Sequence, residues 1–301
     1  MRGIEEQPFR KSGKFYRGNL HTHCTNSDGR LPASEVIARY RRQGYDFLAM
    51  SDHFLDRYDF PVTDTREFRD DHFTTLISAE LHQGQMLNDE LWHVLAVGLP
   101  LDFSPPTDAE GIADIAGRAH AAGAFIGLVH PAWYGLQPED AAVLPFAHAV
   151  EIYNHGAEVE NQRGDGWGLC DMLLNTGQRI DGFATDDAHQ LTHDVFGGWI
   201  HVKAAALDPD CLLQALKDGD YYSSQGPTIQ DIRIEGEEIV IECSPAAAVV
   251  ASGKGSRSVQ QFGTGLTEAR LPLRRFKDNY FRVTVVDAKG LKAWSNPIAM
   301  A

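Results

Sequence analysis

The stretch FYRGNLHTH, residues 15–23, decides how the rest of the chain is read. It has the short, apolar-punctuated build of a β-strand and ends in His21-Thr22-His23. Along a strand, residues two apart project from the same face, so both imidazoles address one site. Imidazole is a good ligand for zinc, iron and related ions, and two converging at a strand end make half of a metal site. Standing alone, a His-x-His pair is as readily two hydrogen-bonded histidines in a polar strand terminus. The segment PASEVIARYRRQG (32–44) that follows reads as a helix, with Pro32 in its first turn and Gly44 at its end.

Outward from this unit the same rhythm repeats to about Ser224. DFLAMSDH (46–53), FTTLISAEL (73–81), LWHVLAVGL (91–99), AFIGLVHP (124–131), AHAVEIYN (147–154) and RIDGFATDDAH (179–189) read as strands. DAEGIADIAGRAHAAG (108–123), GWGLCDMLLNTG (166–177) and DPDCLLQALKDG (208–219) read as helices. Strands alternating with helices predict a parallel sheet, and about seven such units with polar residues at the strand ends predict a barrel. Beyond residue 230 the pattern changes. DIRIEGEEIVIECS (231–244) and NYFRVTVVDAKGLKAWSNPI (279–298) alternate apolar and polar residues, with glycine turns and no helix. The chain is therefore divided into an α/β barrel over residues 1–230 and a small β-sandwich-like unit over 231–301. The second unit contains no histidine, so chemistry is assigned to the first.

Composition narrows the class. The chain has 301 residues, 43% hydrophobic and 23% charged, ordinary for a globular protein. No apolar run approaches the roughly 20 residues that span a bilayer. The first fifteen residues lack the apolar stretch of a secretory signal, so a cytoplasmic location is expected. The four cysteines form no CxxC pair and read as free thiols. A net charge of −15 without a basic stripe argues against a nucleic-acid polymer as partner. Carboxylates clustered around cations would offset part of that charge, which leaves room for a small anionic substrate.

The histidine pair is not isolated. Asp28 lies in the loop NSDG, Asp52 and His53 end the second strand, and Glu80 ends the third. His93 lies in the fourth, His130 closes the fifth before Pro131, and Asp187 and His189 repeat the skip-one spacing of His21 and His23. Each alone is an ordinary polar strand terminus; together they predict a polynuclear metal site. His82 shares a face with Glu80 and is assigned to substrate contact or to supporting a ligand from behind, rather than to direct ligation. Asp52, Glu151 and Asp186 are assigned to supporting the metal-binding histidines by accepting their free N–H groups. His155, at another strand end, is a candidate proton donor. Trp133 and Tyr134 are candidates for a pocket wall, against the equal alternative of core packing.

LHTHCTNSDG, SDH at 51–53, SAEL, His93, LVHP and DDAH together resemble the PHP (polymerase and histidinol phosphatase) family of metallohydrolases. FYRGNLHTH, EIYN, YYSSQGP and AWSNPI look nearest to its carbaryl-hydrolase-type branch, which carries a C-terminal β unit. The resemblance implies a distorted (β/α)7 barrel holding two to three divalent ions of zinc, manganese or iron. It places His21, His23, Glu80 and Asp187 on one ion. Glu80 would bridge to a second held by His93 and His130, and Asp28, His53 and His189 would hold a third. It further implies a phosphoesterase working through a metal-bridging hydroxide on a small phosphorylated substrate, with Asp187, His189 or His155 handling protons. Phosphate recognition wants a cation, and Arg163 and Arg30 are the candidates, with Lys203 behind them. Two other readings are carried: a hydrolase of a carbamate, ester or amide, and a metal-binding accessory domain without catalysis. Oligomeric state is left open.

Overall fold

The computed structural model describes residues 1–300. Strand β1 (Lys14–Asn19) leads into helix α1 (Ala33–Arg42) and strand β2 (Phe47–Met50), with the short β3 (His53–Phe54) behind it. Helix α1 buries Val36, Ile37 and Tyr40 on one face and places Arg39, Arg41 and Arg42 in its last turn, where cations suit the helix dipole. Next come β4 (Thr74–Leu81), β5 (Val94–Val97), α2 (Ile112–Ala121) and β6 (Phe125–Leu128). The short helices α3 (Pro131–Tyr134) and α4 (Pro138–Ala141) precede β7 (Ala149–Asn154). After it come α5 (His155–Asn161), α6 (Trp167–Asn175), β8 (Asp181–Thr185), β9 (Trp199–Ala204), α7 (Pro209–Lys217) and β10 (Tyr221–Ser224). Six strands complete the chain: β11 (Ile229–Glu235), β12 (Glu238–Gly253), β13 (Ser258–Pro272), β14 (Tyr280–Val286), β15 (Lys292–Ser295) and β16 (Ile298–Ala299).

These strands make one mixed sheet in the order β11-β12-β14-β15-β10-β9-β1-β2-β4-β5-β6-β7-β8. Pairs β1/β2, β2/β4, β6/β7 and β7/β8 are parallel. β5, however, runs antiparallel to both β4 and β6, a departure from the all-parallel expectation. The physical reason lies in the connection: no helix forms between β4 and β5, and without a crossover the chain can only return antiparallel. β9 is antiparallel to β1 as well. The ladder does not close between β8 and β1. Just past their ends the chain segments meet through a single parallel bridge, Thr22 to Ala188, where the His23 N–H donates to the Ala188 carbonyl at 3.0 Å.

Apolar side chains fill both sides of this sheet. Leu20, Phe47, Leu95, Phe125, Phe183 and Ile200 form one buried cluster. Gly18 is required there, since a Cβ on it would lie 2.1 Å from the Phe47 ring. Helices α2 and α6 pack Ile115, Ala119, Leu169 and Leu173 against the sheet in a second cluster. The strands beyond residue 230 enclose their own cluster, including Ile232, Ile241, Val249, Phe281 and Val285. They nevertheless continue the same sheet, because β15 pairs with β10 from Tyr222–Ser295 to Ser224–Ala293. Arg282 reinforces the junction, forking onto Asp171 at 3.1 and 2.8 Å while stacking 3.6 Å over Trp167. No helix among the described residues is long and apolar enough to cross a membrane.

Candidate metal centre

The polar residues gather at one rim. His21 and His23 lie just past β1, Glu80 near the end of β4 with His82 just past it, His130 past β6, and Asp187 and His189 past β8. His93 precedes β5 rather than lying within it. Because β5 runs backwards, its beginning lies at the rim where its neighbours end, so His93 reaches the same site. Donor atoms then fall within 4.8 Å of one another in four overlapping groups: His21, His23 and Asp187; His21, Glu80 and His130; His53, Glu80, His82 and His93; and His23, Asp28, His53 and His189.

Distances test whether a metal suits these groups. Two ligand atoms on one tetrahedral ion with bonds near 2.0–2.1 Å are separated by roughly 3.3 Å. His21 Nε2 lies 3.2 Å from Asp187 Oδ1 and 3.6 Å from Glu80 Oε2. His23 Nε2 lies 3.1 and 3.7 Å from the same two oxygens. Glu80 Oε1 meets His93 Nδ1 at 2.7 Å and His130 Nε2 at 3.0 Å, hydrogen-bond lengths shorter than the spacing of two ligands on one ion. His21 Nε2, Glu80 Oε2 and His130 Nδ1 are buried without a hydrogen-bond partner. Orphaned buried polar atoms are costly unless something else meets them, and a divalent cation meets this donor set. The residues fit a metal.

Supporting contacts hold these donors in place. Glu151 Oε1 accepts from His21 Nδ1 at 3.1 Å and from the Thr185 hydroxyl. Glu151 Oε2 accepts the His130 N–H at 2.6 Å and Asn154 Nδ2 at 2.9 Å. Asn154 Nδ2 also donates to Asp187 Oδ2 at 3.0 Å, so one amide ties two carboxylates together. His189 Nδ1 donates to the Asp187 carbonyl at 3.0 Å, and its ring stacks on His23 at 4.2 Å. Asp52 and Asp186 differ from expectation, since neither is bonded to a histidine ring. Asp52 accepts from the Cys24 amide and thiol, Ser27 Oγ and Thr63 Oγ1, fixing the loop that carries Asp28. Asp186 accepts from Tyr40 and the amides of Phe196, Gly197 and Gly198, fixing the loop after His189. Short loop backbones need such acceptors, and a buried carboxylate supplies several at once.

Electrostatics follow from the crowding. Burial alone would raise the Glu80 carboxyl, but His53, His93 and His21 outweigh it and hold it well below the usual carboxylate range. Asp187 is likewise held low against its burial by His21, His23 and His189. Burial with His189 and His53 alongside pushes His23 down to about 4. His53 rises to about 10 despite burial, because Glu80 and Asp28 face it. A site so rich in carboxylate charge attracts cations.

A cavity of about 320 Å³ opens over the cluster, within the range of small-molecule sites. Asp28, His53, Glu80, His82, His93, His130, Asp187 and His189 line it, with Leu55, Leu91 and Trp133 as an apolar wall. Tyr134 is instead buried, packing edge-on against His93 and His130. His82 is fully inside the cluster, its Nε2 3.7 Å from Glu80 Oε2. His155 turns away, with its Nδ1 3.1 Å from the Tyr153 hydroxyl. Arg163 is spent on the Trp133 carbonyl at 3.0 Å. Arg30 is exposed and touches His189 only through its backbone, while Lys203 lies over Phe15. The cation that lines the cavity is Arg57, in the turn Asp56–Tyr58, with its guanidinium 4.6 Å over the Tyr58 ring. Neither Arg57 nor Asn154 is marked individually in the sequence; Arg57 lies in the loop at residues 54–72, one of those expected to govern substrate choice.

No family model matches the chain, and no curated protein does. Among solved structures, one from Chromobacterium violaceum is an amidohydrolase with bound sulfate and no metal; TM-score 0.41, 13% identity, covering 59% of this chain and 89% of that one. A Bifidobacterium adolescentis protein proposed to be a metal-dependent phosphoesterase gives TM-score 0.39 at 14% identity, covering 57% of this chain and 87% of that one. A two-domain Bacteroides vulgatus protein, described as containing a predicted PHP-like metal-dependent phosphoesterase, gives TM-score 0.57 at 14% identity, covering 98% of this chain and 97% of that one. In fold, this chain is similar to that two-domain protein over almost its whole length.

Proposed function

We propose that this chain is a metal-dependent hydrolase of the PHP type, a phosphoesterase acting on a small phosphorylated molecule. The observation that carries the reading is the convergence of His21, His23, Glu80 and Asp187 at metal-ligand separations, with His21 Nε2 and Glu80 Oε2 buried and unpartnered. The strands from β1 to β8 are read as a distorted barrel whose ring is finished at the rim, and residues 231–301 as a β unit buttressing it.

His21, His23, Glu80 and Asp187 would hold one ion, Glu80 with His93 and His130 a second, and Asp28, His53 and His189 a third. Divalent ions there supply Lewis acidity, activating water and polarising the substrate's oxygen. The protein's own groups do the rest. Arg57 reaches the cavity as the anion-binding group, in a site otherwise crowded with carboxylates. The wall of Leu55, Leu91 and Trp133 seats the organic part of the substrate and excludes water from that side. His189, with Nδ1–H committed to the Asp187 carbonyl, has only Nε2 left to offer, so with the third ion in place that nitrogen would be a ligand rather than a proton carrier. Asn154 orients Asp187 through Oδ2. The same apolar wall favours a second reading, a hydrolase of an aryl ester or carbamate.

Assay of the manganese- or zinc-loaded protein on an aryl phosphate, an aryl ester and a carbamate decides between them. Turnover of the phosphate alone supports the first reading; turnover of the ester or carbamate alone selects the second. Metals bound with no turnover on any of the three would favour an accessory domain.

A further inference from the structure

His82 stands in the cluster without a place in the three ligand sets, and its hydrogen bonds define what it does. Its Nδ1 lies 2.9 Å from the Trp92 carbonyl. A carbonyl can only accept, so Nδ1 carries the hydrogen and Nε2 keeps a lone pair. That lone pair faces His53 Nδ1 at 2.8 Å. The separation is a hydrogen-bond length, well short of the roughly 3.3 Å between two nitrogens sharing one tetrahedral ion. His53 Nδ1 is therefore the donor, and His53 Nε2, 3.3 Å from Asp28 Oδ2, is the atom offered to the group formed by His23, Asp28 and His189.

Glu80 competes for the same hydrogen, with Oε2 only 2.7 Å from His53 Nδ1. The angle decides the competition: Glu80 Oε2 makes no hydrogen bond, whereas the contact from His53 to His82 does. By accepting the His53 hydrogen, His82 leaves Glu80 Oε2 bare on the side of His21 and His23, where it would serve as a ligand.

We infer that His82 is a positioning residue, the middle of a relay from the Trp92 carbonyl through His82 to His53 that fixes which nitrogen of His53 binds metal and keeps Glu80 Oε2 free. It rests on the metal reading above. Metal-binding histidines commonly donate their second N–H to a carboxylate or carbonyl; here another histidine takes it. The relay is closed off from exchange with solvent, since His82 is buried and its far end is anchored to backbone.

The test uses the zinc-loaded full-length protein with 15N-labelled histidine, alongside His82→Gln and His82→Leu. Glutamine retains an acceptor where Nε2 stood; leucine does not. Long-range 1H–15N correlation should show His53 protonated at Nδ1 and zinc-shifted at Nε2, in the wild type and in His82→Gln. In His82→Leu the His53 Nδ1–H is left to Glu80 Oε2, so the His53 Nδ1 signals should shift and zinc affinity should fall by about 10–100-fold, read by competition with a chelating dye. His82→Gln should stay near the wild type in both measurements, and its unfolding midpoint shows that the fold tolerates the position. A zinc-shifted Nε2 on His82 would overturn the inference by making it a ligand. Unchanged His53 signals and zinc affinity in His82→Leu would overturn it too. A wild type that takes up no zinc would instead remove the metal reading itself.

Discussion

His130 and Asp187 both hold backbone φ in the left-handed region, at 30° and 54°. Neither is glycine, so each conformation costs on the order of 1–3 kcal/mol and is sustained by its surroundings. The His130 N–H is held by Glu151, and the Asp187 N–H by the His21 carbonyl at 3.0 Å. Strain placed on two donors is a mark of preorganisation. Replacing His21 or Asp187 by alanine is expected to lower aryl-phosphate turnover by more than about 100-fold, with loss of bound metal on elemental analysis. Arg57→Ala should act differently, raising KM by about 10-fold or more with little change in kcat, the loss of one charge-assisted hydrogen bond to substrate. Initial-rate kinetics on both variants separate the two effects. The donors were legible because skip-one spacing and strand termini mark them directly in sequence. Arg57 was not: a cation in an irregular turn has no period, and only the folded turn shows where it points.

Among the elements, the loops are what the buried acids govern. Asp52 gathers four donors between residues 24 and 63, so Asp52→Ala leaves buried amide and hydroxyl groups unpaired. It should cost about 2–4 kcal/mol in denaturant unfolding and weaken metal uptake through Asp28, although Asp52 is no ligand. Unchanged stability would show that this loop is held by something else. Gly29 belongs to the same loop, where a Cβ would sit 2.4 Å from the His23 carbonyl carbon. The direction of β5 was the element that sequence could not supply. VLAV is apolar throughout and buried throughout, so it reads the same in either direction.

Over the whole molecule, two histidines far from the cluster add to the response to acid. His148 Nδ1 accepts the Ile126 N–H at 3.0 Å, and His201 Nε2 accepts the Trp199 indole N–H at 2.9 Å. Burial, with His120 and Lys217 beside His148, lowers it to about 4; burial and Arg17 lower His201 to about 4. Both are neutral in the fold and protonate near 6.5 once unfolded, so their contribution is present above pH 6.5 and is lost as pH falls toward 4. The metal-free protein should lose at least about 5 °C in Tm between pH 7 and 4.5, and His148→Gln with His201→Gln should flatten that slope in calorimetry. Truncation after residue 230 should yield aggregated protein by size-exclusion chromatography, because it strips β15 from the β10 edge and uncovers Tyr222. The change in pattern beyond residue 230 was visible in sequence; the continuity of the sheet was not, since pairing between β10 and β15 joins segments far apart in the chain.

The reversed strand bears on how faithfully the protein assembles. Four consecutive apolar residues, buried on both faces, are a poor ruler: sliding β5 by one position exchanges like for like along its length. His93 is the landmark that breaks this degeneracy, because a slip would draw an imidazole away from Glu80. A residue that serves the chemistry therefore also proofreads the alignment, and chains refolded without it should populate an off-register, slowly correcting species.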